Sequence, residues 1–204
     1  MEEVIREYYE LLKKWNRHIN LTAADDEERF ESAHVEDARF LLAHLGDAKS
    51  LIDLGSGAGI PGILVKIWRP DIEVTLLDST RKKVSFCGEV IRRLNLAGIR
   101  AAWGRAEDDS MRRALGVYDV VVSRATWELG QFLEMALPYV AENGRIIAMK
   151  GPRWEKELSA AAGVLEKTPL ALEGAHPYAL PDNRARCLLV FERGGRGAQS
   201  FGAT

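Results

Sequence analysis

Apolar and polar residues follow two different periods along this chain, and together they predict an α/β fold. Short continuous apolar runs are typical of parallel strands buried on both faces, whereas apolar residues three and four positions apart indicate amphipathic helices. The predicted strands of the main domain cover residues 51–54, 72–78, 99–103, 118–123, 145–149, 170–175 and 187–192. The predicted helices among them cover residues 61–68, 80–95, a segment from about 108, 128–139 and 153–166, and Asn143-Gly144 predicts a turn.

The first 45 residues predict a helical extension that packs on the main domain. The apolar face of its first helix consists of Val4, Tyr8, Leu11, Leu12 and Trp15. Asn20-Leu21-Thr22 interrupts this pattern, and either Asp25 or Asp26 is expected to cap a second helix that runs to about Leu45.

Alternating strands and helices favour a Rossmann-like, doubly wound, mostly parallel sheet, with the last two strands as an antiparallel pair. We expect residues 1–45 to form the extension, 46–193 the main domain, and 194–204 a mobile tail rich in Gly, Ala and Ser. Ligands of such sheets bind beyond the carboxyl ends of the strands.

The segment from Asp53 to Pro61 contains the chain's clearest chemical signal. An apolar strand ends in Asp-x-Gly-x-Gly-x-Gly, with glycines at Gly55, Gly57 and Gly59. Glycines let backbone N–H groups approach a ligand closely where the next helix begins, and Pro61 fits the first turn of that helix. The segment therefore predicts a nucleotide-cofactor site, although a tight turn that binds nothing has the same pattern.

Two acids indicate which ligand such a loop would bind: Asp78 indicates a ribose, and Asp53 decides between the two cofactors that carry one. Asp78 ends the second strand 23 residues after Gly55, a separation at which a carboxylate can bind a ribose diol. The loop also satisfies the GxGxxG pattern of dinucleotide-dependent oxidoreductases. Asp53, however, would repel a diphosphate and suits a cationic ligand, which favours S-adenosylmethionine over a nicotinamide.

Residues after the third and fourth strands should border the same pocket. Backbone groups near Ala106 and the carboxylate of Glu107 could bind the adenine amine, and Arg124 could hold the methionine carboxylate or steer the substrate. The alternatives are that Glu107 caps the next helix and that Arg124 forms a local ion pair.

Composition narrows the class of protein. The chain has 204 residues, 47% of them apolar, and its two cysteines, Cys87 and Cys187, match no metal-ligand spacing, so we expect a cytoplasmic protein without a metal. No apolar run approaches the ~20 residues that span a bilayer, which argues against membrane insertion. Net charge is −2, yet residues 81–113 hold nine basic and four acidic residues, indicating either an RNA-phosphate surface or an ordinary solvated helix face.

An ordered set of motifs resembles the bacterial RsmG family, also called glucose-inhibited division protein B, over residues 1–193. The set comprises Asn20-Leu21-Thr22, His34-Val35-Glu36-Asp37, the loop from Asp53 to Gly62, Leu76-Leu77-Asp78-Ser79, Gly104-Arg105-Ala106-Glu107, Ser123-Arg124-Ala125 and Lys150-Gly151. Arg186 looks like the family's arginine before its last strand, whereas the segment around it and the tail after Arg193 depart from the pattern.

The resemblance implies a class I S-adenosylmethionine-dependent methyltransferase that modifies guanine N7 in 16S ribosomal RNA. It places cofactor contacts at Gly55, Ile60, Ala106 with Glu107, and Arg124, and the partner would be the 30S subunit or a late precursor. Separately from the resemblance, we expect a monomer. His34, Arg124 and Lys150 are the candidate substrate-side residues. His34 could instead be a packed histidine, and Lys150 could extend from a strand end.

Two other functions stay open at this point. A small-molecule methyltransferase would share the cofactor site, and a non-catalytic ribosome-assembly factor would use the same fold to bind RNA.

Overall fold

The computed structural model describes residues 2–23, 26–124 and 127–194. Its strands are β1 (Ser50–Leu54), β2 (Glu73–Asp78), β3 (Ile99–Trp103), β4 (Tyr118–Arg124), β5 (Val140–Lys150), β6 (Leu170–Ala179) and β7 (Ala185–Arg193). Its α-helices are α1 (Glu3–Asn16), α2 (Glu27–Phe30), α3 (Glu36–Leu42), α4 (Gly62–Trp68), α5 (Arg81–Arg93), α6 (Asp109–Leu115), α7 (Leu129–Ala136), α8 (Trp154–Ala160) and α9 (Ala162–Leu165).

The strands of the described chain form one seven-stranded sheet in the order β3-β2-β1-β4-β5-β7-β6. Strands β1 to β5 pair in parallel, and β7 pairs antiparallel with both β5 and β6. The strand order reverses at β1, which lies between β2 and β4. This arrangement confirms the predicted doubly wound sheet and places its switch point at the end of β1.

Two apolar layers cover the sheet. Leu51, Leu76 and Val120 face a core that also contains residues of α1, α3, α4 and α5. Ile52, Leu77 and Val121 face a second core on the opposite side, formed with α7 and the segment that follows it. Successive residues of one strand thus point to opposite faces, and both faces are buried.

Helix α1 packs on the first of these cores through a face rotated from the predicted one. Its buried residues are Ile5, Tyr8, Tyr9 and Leu12, at helical spacing. Val4 is 42% exposed, so its assignment to the buried face was wrong. Leu11 and Trp15 lie partly buried at the margin of the same core. The aromatic rings of Tyr8 and Tyr9 explain the rotation, because they bury more apolar area than Val4 would.

The second predicted helix begins as expected but is not uniform. The side chain of Asp26 caps α2 by accepting a hydrogen bond from Arg29 N at 2.7 Å, whereas Asp25 lies outside the described residues. A π-helical segment, Glu31–Val35, separates α2 from α3, which ends at Leu42 rather than Leu45. Such segments often occur at functional sites, and this one contains His34.

Two further predictions needed correction, and one lies outside the described residues. Asn143-Gly144 is part of the long strand β5, where Asn143 has φ +62° and the register with β4 shifts, so the residues form a bulge and not a turn. The predicted helix over 153–166 is divided into α8 and α9 at Ala161. Residues 195–204 of the predicted tail are outside the described part of the chain.

Candidate functional site

A cavity of about 440 Å³ lies at the carboxyl ends of the parallel strands, next to the switch point. Its walls come from the segments that follow β1, β2, β3 and β4. The lining residues are Gly55, Leu77, Asp78, Ser79, Thr80, Lys83, Gly104, Arg105, Ala106, Glu107 and Trp127. We call this space the carboxyl-edge cavity.

The glycine loop after β1 forms one wall. Gly55 N donates to Leu77 O at 2.8 Å, which holds the start of the loop against β2. Gly55, Gly57 and Gly59 all have positive φ, between +57° and +83°. At Gly57 this conformation turns the backbone so that its N–H donates to Asp78, and a side chain there would strain the turn.

Asp78 joins the loops after β1 and β2. Its Oδ2 accepts from Gly57 N at 2.9 Å and its Oδ1 accepts from Thr80 N at 2.7 Å. The residue is 7% exposed and lines the cavity. A carboxylate has about four acceptor positions, so two remain for the hydroxyl groups of a ligand. The side chain is therefore fixed in place and still able to bind a diol.

Asp53 lies beneath the loop, fully buried at the end of β1. Its Oδ2 accepts from Gly62 N at 3.0 Å, and a Cβ at Gly62 would lie 2.3 Å from the Leu76 side chain, so a larger residue there would displace Leu76. Its Oδ1 is buried and has no hydrogen-bond partner among the described residues. The pKa of Asp53 is raised to about 7, chiefly because burial desolvates the carboxylate; Gly62 N–H and Arg124 oppose this rise, and nearby Asp78 adds to it.

The loop after β3 forms the opposite wall. Ala106 is 5% exposed, and its carbonyl accepts a hydrogen bond from the Tyr139 hydroxyl at 3.0 Å. The Glu107 side chain is 54% exposed and lies 3.4 Å from Arg105. Helix α6 begins after Asp108, and no side chain caps it, so the capping alternative for Glu107 was wrong.

Arg124, at the end of β4, connects the sheet to the N-terminal extension. Its Nη1 donates to His34 Nδ1 at 2.8 Å and to Ala33 O at 3.4 Å, and it lies 3.5 Å from Asp37 Oδ2. The Asp37 side chain is 2% exposed and accepts a second hydrogen bond from the Tyr178 hydroxyl at 2.5 Å. The ion pair suggested as an alternative for Arg124 is thus present, and it links β4, α3 and β6.

His34 is held as a neutral imidazole between two partners. Arg124 can only donate, so Nδ1 must accept, and Nε2 carries the proton that it shares with Thr22 Oγ1 at 2.6 Å. Burial lowers the pKa of His34 to about 3, and the positive charge of Arg124 contributes. His34 therefore packs between the extension and the sheet and carries no charge near neutral pH.

Lys150, at the end of β5, is 5% exposed. Its Nζ donates to Trp127 O at 2.5 Å and pairs with Glu157 Oε2 at 2.7 Å. The lysine thus stays inside the protein and fixes the position of Trp127, which forms part of the cavity wall.

The predicted residues divide into three groups in space. Gly55, Asp78, Ala106 and Glu107 line the cavity. Asp53, Gly57, Gly59 and Ile60 belong to the loop beside it, where Ile60 is 5% exposed and packs into the first core. The substrate-side candidates His34, Arg124 and Lys150 lie at the ends of β4 and β5 and in the extension.

Two cavity residues, Thr80 before α5 and Trp127 after β4, were not predicted. Lys83, in the first turn of α5, was predicted only as one of the basic residues of 81–113. The rule that ligands bind at the carboxyl ends of strands could have identified them, because each follows a strand that borders the switch point.

The basic residues of 81–113 are mostly engaged with neighbours. Arg92 and Arg93 pair with Glu89, and Arg112 pairs with Asp109. Arg81 lies 5.4 Å from the ring centre of Trp103, which is 58% exposed at the outer end of β3. Arg100 is bound to Thr75 and Tyr118 near the opposite ends of the strands. Only part of this charge therefore borders the cavity.

Within residues 2–23, 26–124 and 127–194, no three His, Cys, Asp or Glu side chains are grouped so that they could hold a metal ion. The helices of these same segments include none with the length and apolarity required to cross a bilayer.

Comparison with known proteins identifies related sequences over most of the chain. The family model of GidB, rRNA small subunit methyltransferase G, matches residues 1–176. A ribosomal RNA small subunit methyltransferase G from Clostridium botulinum (strain 657 / Type Ba4) is 44% identical over 162 residues, which are 78% of this chain and 68% of the relative. The protein of the same name from Moorella thermoacetica is 42% identical over 166 residues, covering 80% and 69% of the two chains.

Solved structures support the fold. A methyltransferase from Pyrococcus furiosus superposes with a TM-score of 0.66 at 15% identity, covering 94% of this chain and 99% of its own. TrmN from Thermus thermophilus gives a TM-score of 0.62 at 20% identity, covering 76% of this chain and 48% of its own. At these identities the similarity concerns the architecture alone.

Proposed function

The chain belongs to the rRNA small subunit methyltransferase G family, and from that membership we propose that it transfers a methyl group from S-adenosylmethionine to N7 of a guanine in 16S ribosomal RNA. The observation that carries this proposal is the family match over residues 1–176, which includes the carboxyl-edge cavity and both acids beside it. The function predicted from the ordered motifs is the same.

The residues around the cavity fit S-adenosylmethionine, which supplies a methyl carbon activated by its sulfonium sulfur. Asp78 would hold the ribose hydroxyls, because two of its acceptor positions remain beside a fixed carboxylate. Ala106 and Glu107 would bind the adenine from the loop after β3. Asp53 offers a buried acceptor without a partner among the described residues, and it would complement the positive charge of the amino acid end.

The proposed reaction does not require a general base in the protein. Guanine N7 presents a lone pair, so no proton needs to leave before the methyl group is transferred. The side chains of the site therefore act by orienting both reactants and excluding water. The environment of His34 supports a reaction without a general base, because both of its ring nitrogens are hydrogen-bonded and its pKa of about 3 makes it a weak base.

For the substrate side we propose Arg124, His34 and Lys150 in different roles. The Arg124 side chain is 23% exposed, and its positive charge at the end of β4 would attract the RNA. His34 would orient Arg124 through their hydrogen bond, and Lys150 would hold Trp127 at the cavity wall. Lys83 and Arg105 at the rim are further candidates for phosphate contacts.

We also propose that the substrate is the 30S subunit or a late precursor, and that the protein acts as a cytoplasmic monomer without a metal. The family name supports the small-subunit RNA as the target. The expectation of a reaction without a metal follows from the chemistry, because a nucleophile that already carries a lone pair needs no activation.

The decisive experiment is methyl transfer from labelled S-adenosylmethionine to 30S subunits that lack their native N7 methylation. Nuclease digestion and mass spectrometry then identify the modified nucleoside. We expect 7-methylguanosine, formed by the wild-type chain and formed more slowly by Asp78→Ala at limiting S-adenosylmethionine. A different methylated nucleoside would contradict the N7 assignment.

A chain that binds S-adenosylmethionine but leaves the subunit unmodified would overturn the assigned substrate. Low-mass acceptors would then be tested, since a small-molecule methyltransferase should show little salt dependence, whereas RNA binding weakens steeply with salt. Binding to the subunit without any methyl transfer would instead indicate a non-catalytic assembly factor.

A further inference from the structure

We propose that two buried tyrosines, Tyr8 and Tyr139, are positioning residues that hold the two backbone loops of the carboxyl-edge cavity in the form that binds the cofactor. Tyr8 belongs to the N-terminal extension and Tyr139 to the segment after α7. The inference rests on the proposed function, because it concerns the S-adenosylmethionine site of that reaction. It makes the extension part of the cofactor site as well as a packing element.

Tyr8 contacts the glycine loop from the face of the sheet that α1, α3, α4 and α5 cover. Its hydroxyl donates to Ala58 O at 2.5 Å, across 50 residues of sequence. The side chain is fully buried, and its ring packs against Phe86 with 6.3 Å between ring centres. The neighbouring carbonyl, Gly57 O, accepts from the Cys87 thiol at 3.5 Å. Two consecutive loop carbonyls are therefore bound from the same side.

Binding these carbonyls fixes the direction of the peptide groups. In a trans peptide the N–H points opposite to the C=O of the same unit. The contact at Gly57 O therefore directs the N–H of Ala58 away from α5. The next peptide is held at both ends, because Ala58 O accepts from Tyr8 and Gly59 N donates to Ser56 O at 2.7 Å. A loop that binds its ligand through backbone groups depends on this orientation.

Tyr139 makes the corresponding contact at the other wall. It is fully buried in the second core, on the opposite face of the sheet from Tyr8. Its hydroxyl donates to Ala106 O at 3.0 Å, within the loop predicted to bind adenine. Burial raises the pKa of Tyr139 to about 12 and that of Tyr8 well above 10, so both hydroxyls remain protonated donors.

Tyrosine-to-phenylalanine variants test this role with little effect on packing. Phenylalanine keeps the ring and removes only the donor, which leaves the loop carbonyl free to change direction before the ligand binds. We expect Tyr8→Phe and Tyr139→Phe each to raise the Kd for S-adenosylhomocysteine about fivefold, measured by calorimetry, and the double variant to raise it about 20-fold.

Tyr118→Phe is the matched control. The Tyr118 hydroxyl is also buried in a hydrogen bond, to Thr75 Oγ1 at 3.0 Å, but it lies at the start of β4, away from the cavity. We expect this variant to lose thermal stability like the others and to keep its Kd within about twofold of wild type. Methylation of 30S subunits should show a raised KM for S-adenosylmethionine in the two test variants, with kcat changed less than about twofold.

Unchanged affinity in both test variants, with their folds verified by circular dichroism, would overturn the positioning role. An equal loss of affinity in Tyr118→Phe would also overturn it, because the effect would then follow general destabilisation. Failure of the wild-type chain to bind S-adenosylhomocysteine is a different result, which would contradict the proposed function itself.

Discussion

Asp53 shows how a single carboxyl group can be placed for binding at a cost in stability. It is fully buried, and only one of its oxygens has a partner among the described residues. Its pKa rises from 3.8 to about 7 in the folded protein. Between these values the unfolded chain has lost the proton that the folded chain keeps, so stability falls as pH rises.

We therefore predict that Asp53→Asn removes part of the pH dependence of folding. Between pH 5 and pH 8 the wild type should lose about 2 kcal/mol of unfolding free energy that the variant keeps, as measured by urea denaturation at both pH values. The same variant should bind S-adenosylhomocysteine at least about tenfold more weakly, since a neutral amide cannot complement an ammonium group. Equal pH profiles for the two proteins would contradict this account of Asp53.

His34 should give the opposite dependence on pH. Its folded pKa of about 3 lies below the ordinary 6.5, so protonation of the unfolded chain lowers stability as pH falls from 6.5 towards 3. We predict that the unfolding free energy of the wild type falls by about 1 to 2 kcal/mol more than that of His34→Gln when the pH is lowered from 7.5 to 5. His18→Gln, at an exposed position, is the control and should follow the wild-type profile.

Asp78 gives the most direct test of the cofactor site at the residue scale. Asp78→Ala should weaken S-adenosylhomocysteine binding by about 1 to 3 kcal/mol in calorimetry, because charge-assisted hydrogen bonds to the ribose and the support of Gly57 N are lost together. Asp71→Ala, at an exposed ion pair with Arg69, provides a comparison that should leave the affinity unchanged. Normal affinity in Asp78→Ala would remove Asp78 from the site.

Among the secondary-structure elements, the predicted bounds are most accurate where the local pattern of apolar residues alone determines the element. Strands β1 to β4 follow their predicted bounds to within about two residues. In β1, β2 and β4 burial on both faces leaves few polar positions to obscure the pattern, whereas β3 is a partly exposed edge strand. The early start of β5 could not be predicted, because the sequence Ala-Glu-Asn-Gly is typical of a turn and becomes part of a strand only through the pairing of β5 with β4.

The cavity-lining part of the candidate site could be predicted from the sequence, whereas its long-range contacts could not. Gly55, Asp78, Ala106 and Glu107 were found because each follows a strand, and the ends of parallel strands meet at one edge. The contacts of Arg124 with His34 and of Tyr8 with Ala58 could not be predicted. They join residues 90 and 50 positions apart, and no local period encodes such distances.

The bulge in β5 gives a prediction at this scale. A Cβ at Gly144 would lie 2.9 Å from both Asp119 O and Val140 Cγ2. We predict that Gly144→Ala lowers the unfolding free energy by about 1 to 3 kcal/mol, because backbone atoms must shift. Asn143→Gly, at the adjacent position with φ +62°, should change it by less than about 0.5 kcal/mol. Urea denaturation would measure both, and equal losses would argue against steric crowding at Gly144.

For the whole molecule, the important feature is that the N-terminal extension and the sheet share one core. Tyr8 and Tyr9 each pack against Phe30, with 5.8 Å and 5.2 Å between the ring centres. They belong to the same apolar cluster as Leu64, Phe86 and Leu51 of β1. We propose that residues 1–45 and 46–193 unfold together, although they can be described as two segments.

Phe30→Ala tests that proposal. We predict a loss of about 3 to 5 kcal/mol in unfolding free energy, with a single transition in which circular dichroism and loss of cofactor binding have the same midpoint. Val4→Ala, on the exposed side of α1, should change stability by less than about 0.5 kcal/mol. Separate midpoints for the two probes would show that the extension unfolds independently.

The position of β7 has a consequence for how the protein is made. Of the seven strands in the described residues it is the last to be synthesised, yet it lies between β5 and β6. Until residues 185–193 have left the ribosome, β6 has no strand to pair with and the edge of β5 stays open. Nascent chains stalled before β7 should contain the complete cofactor loops and still expose an apolar strand edge, which makes them prone to aggregate and to require chaperones.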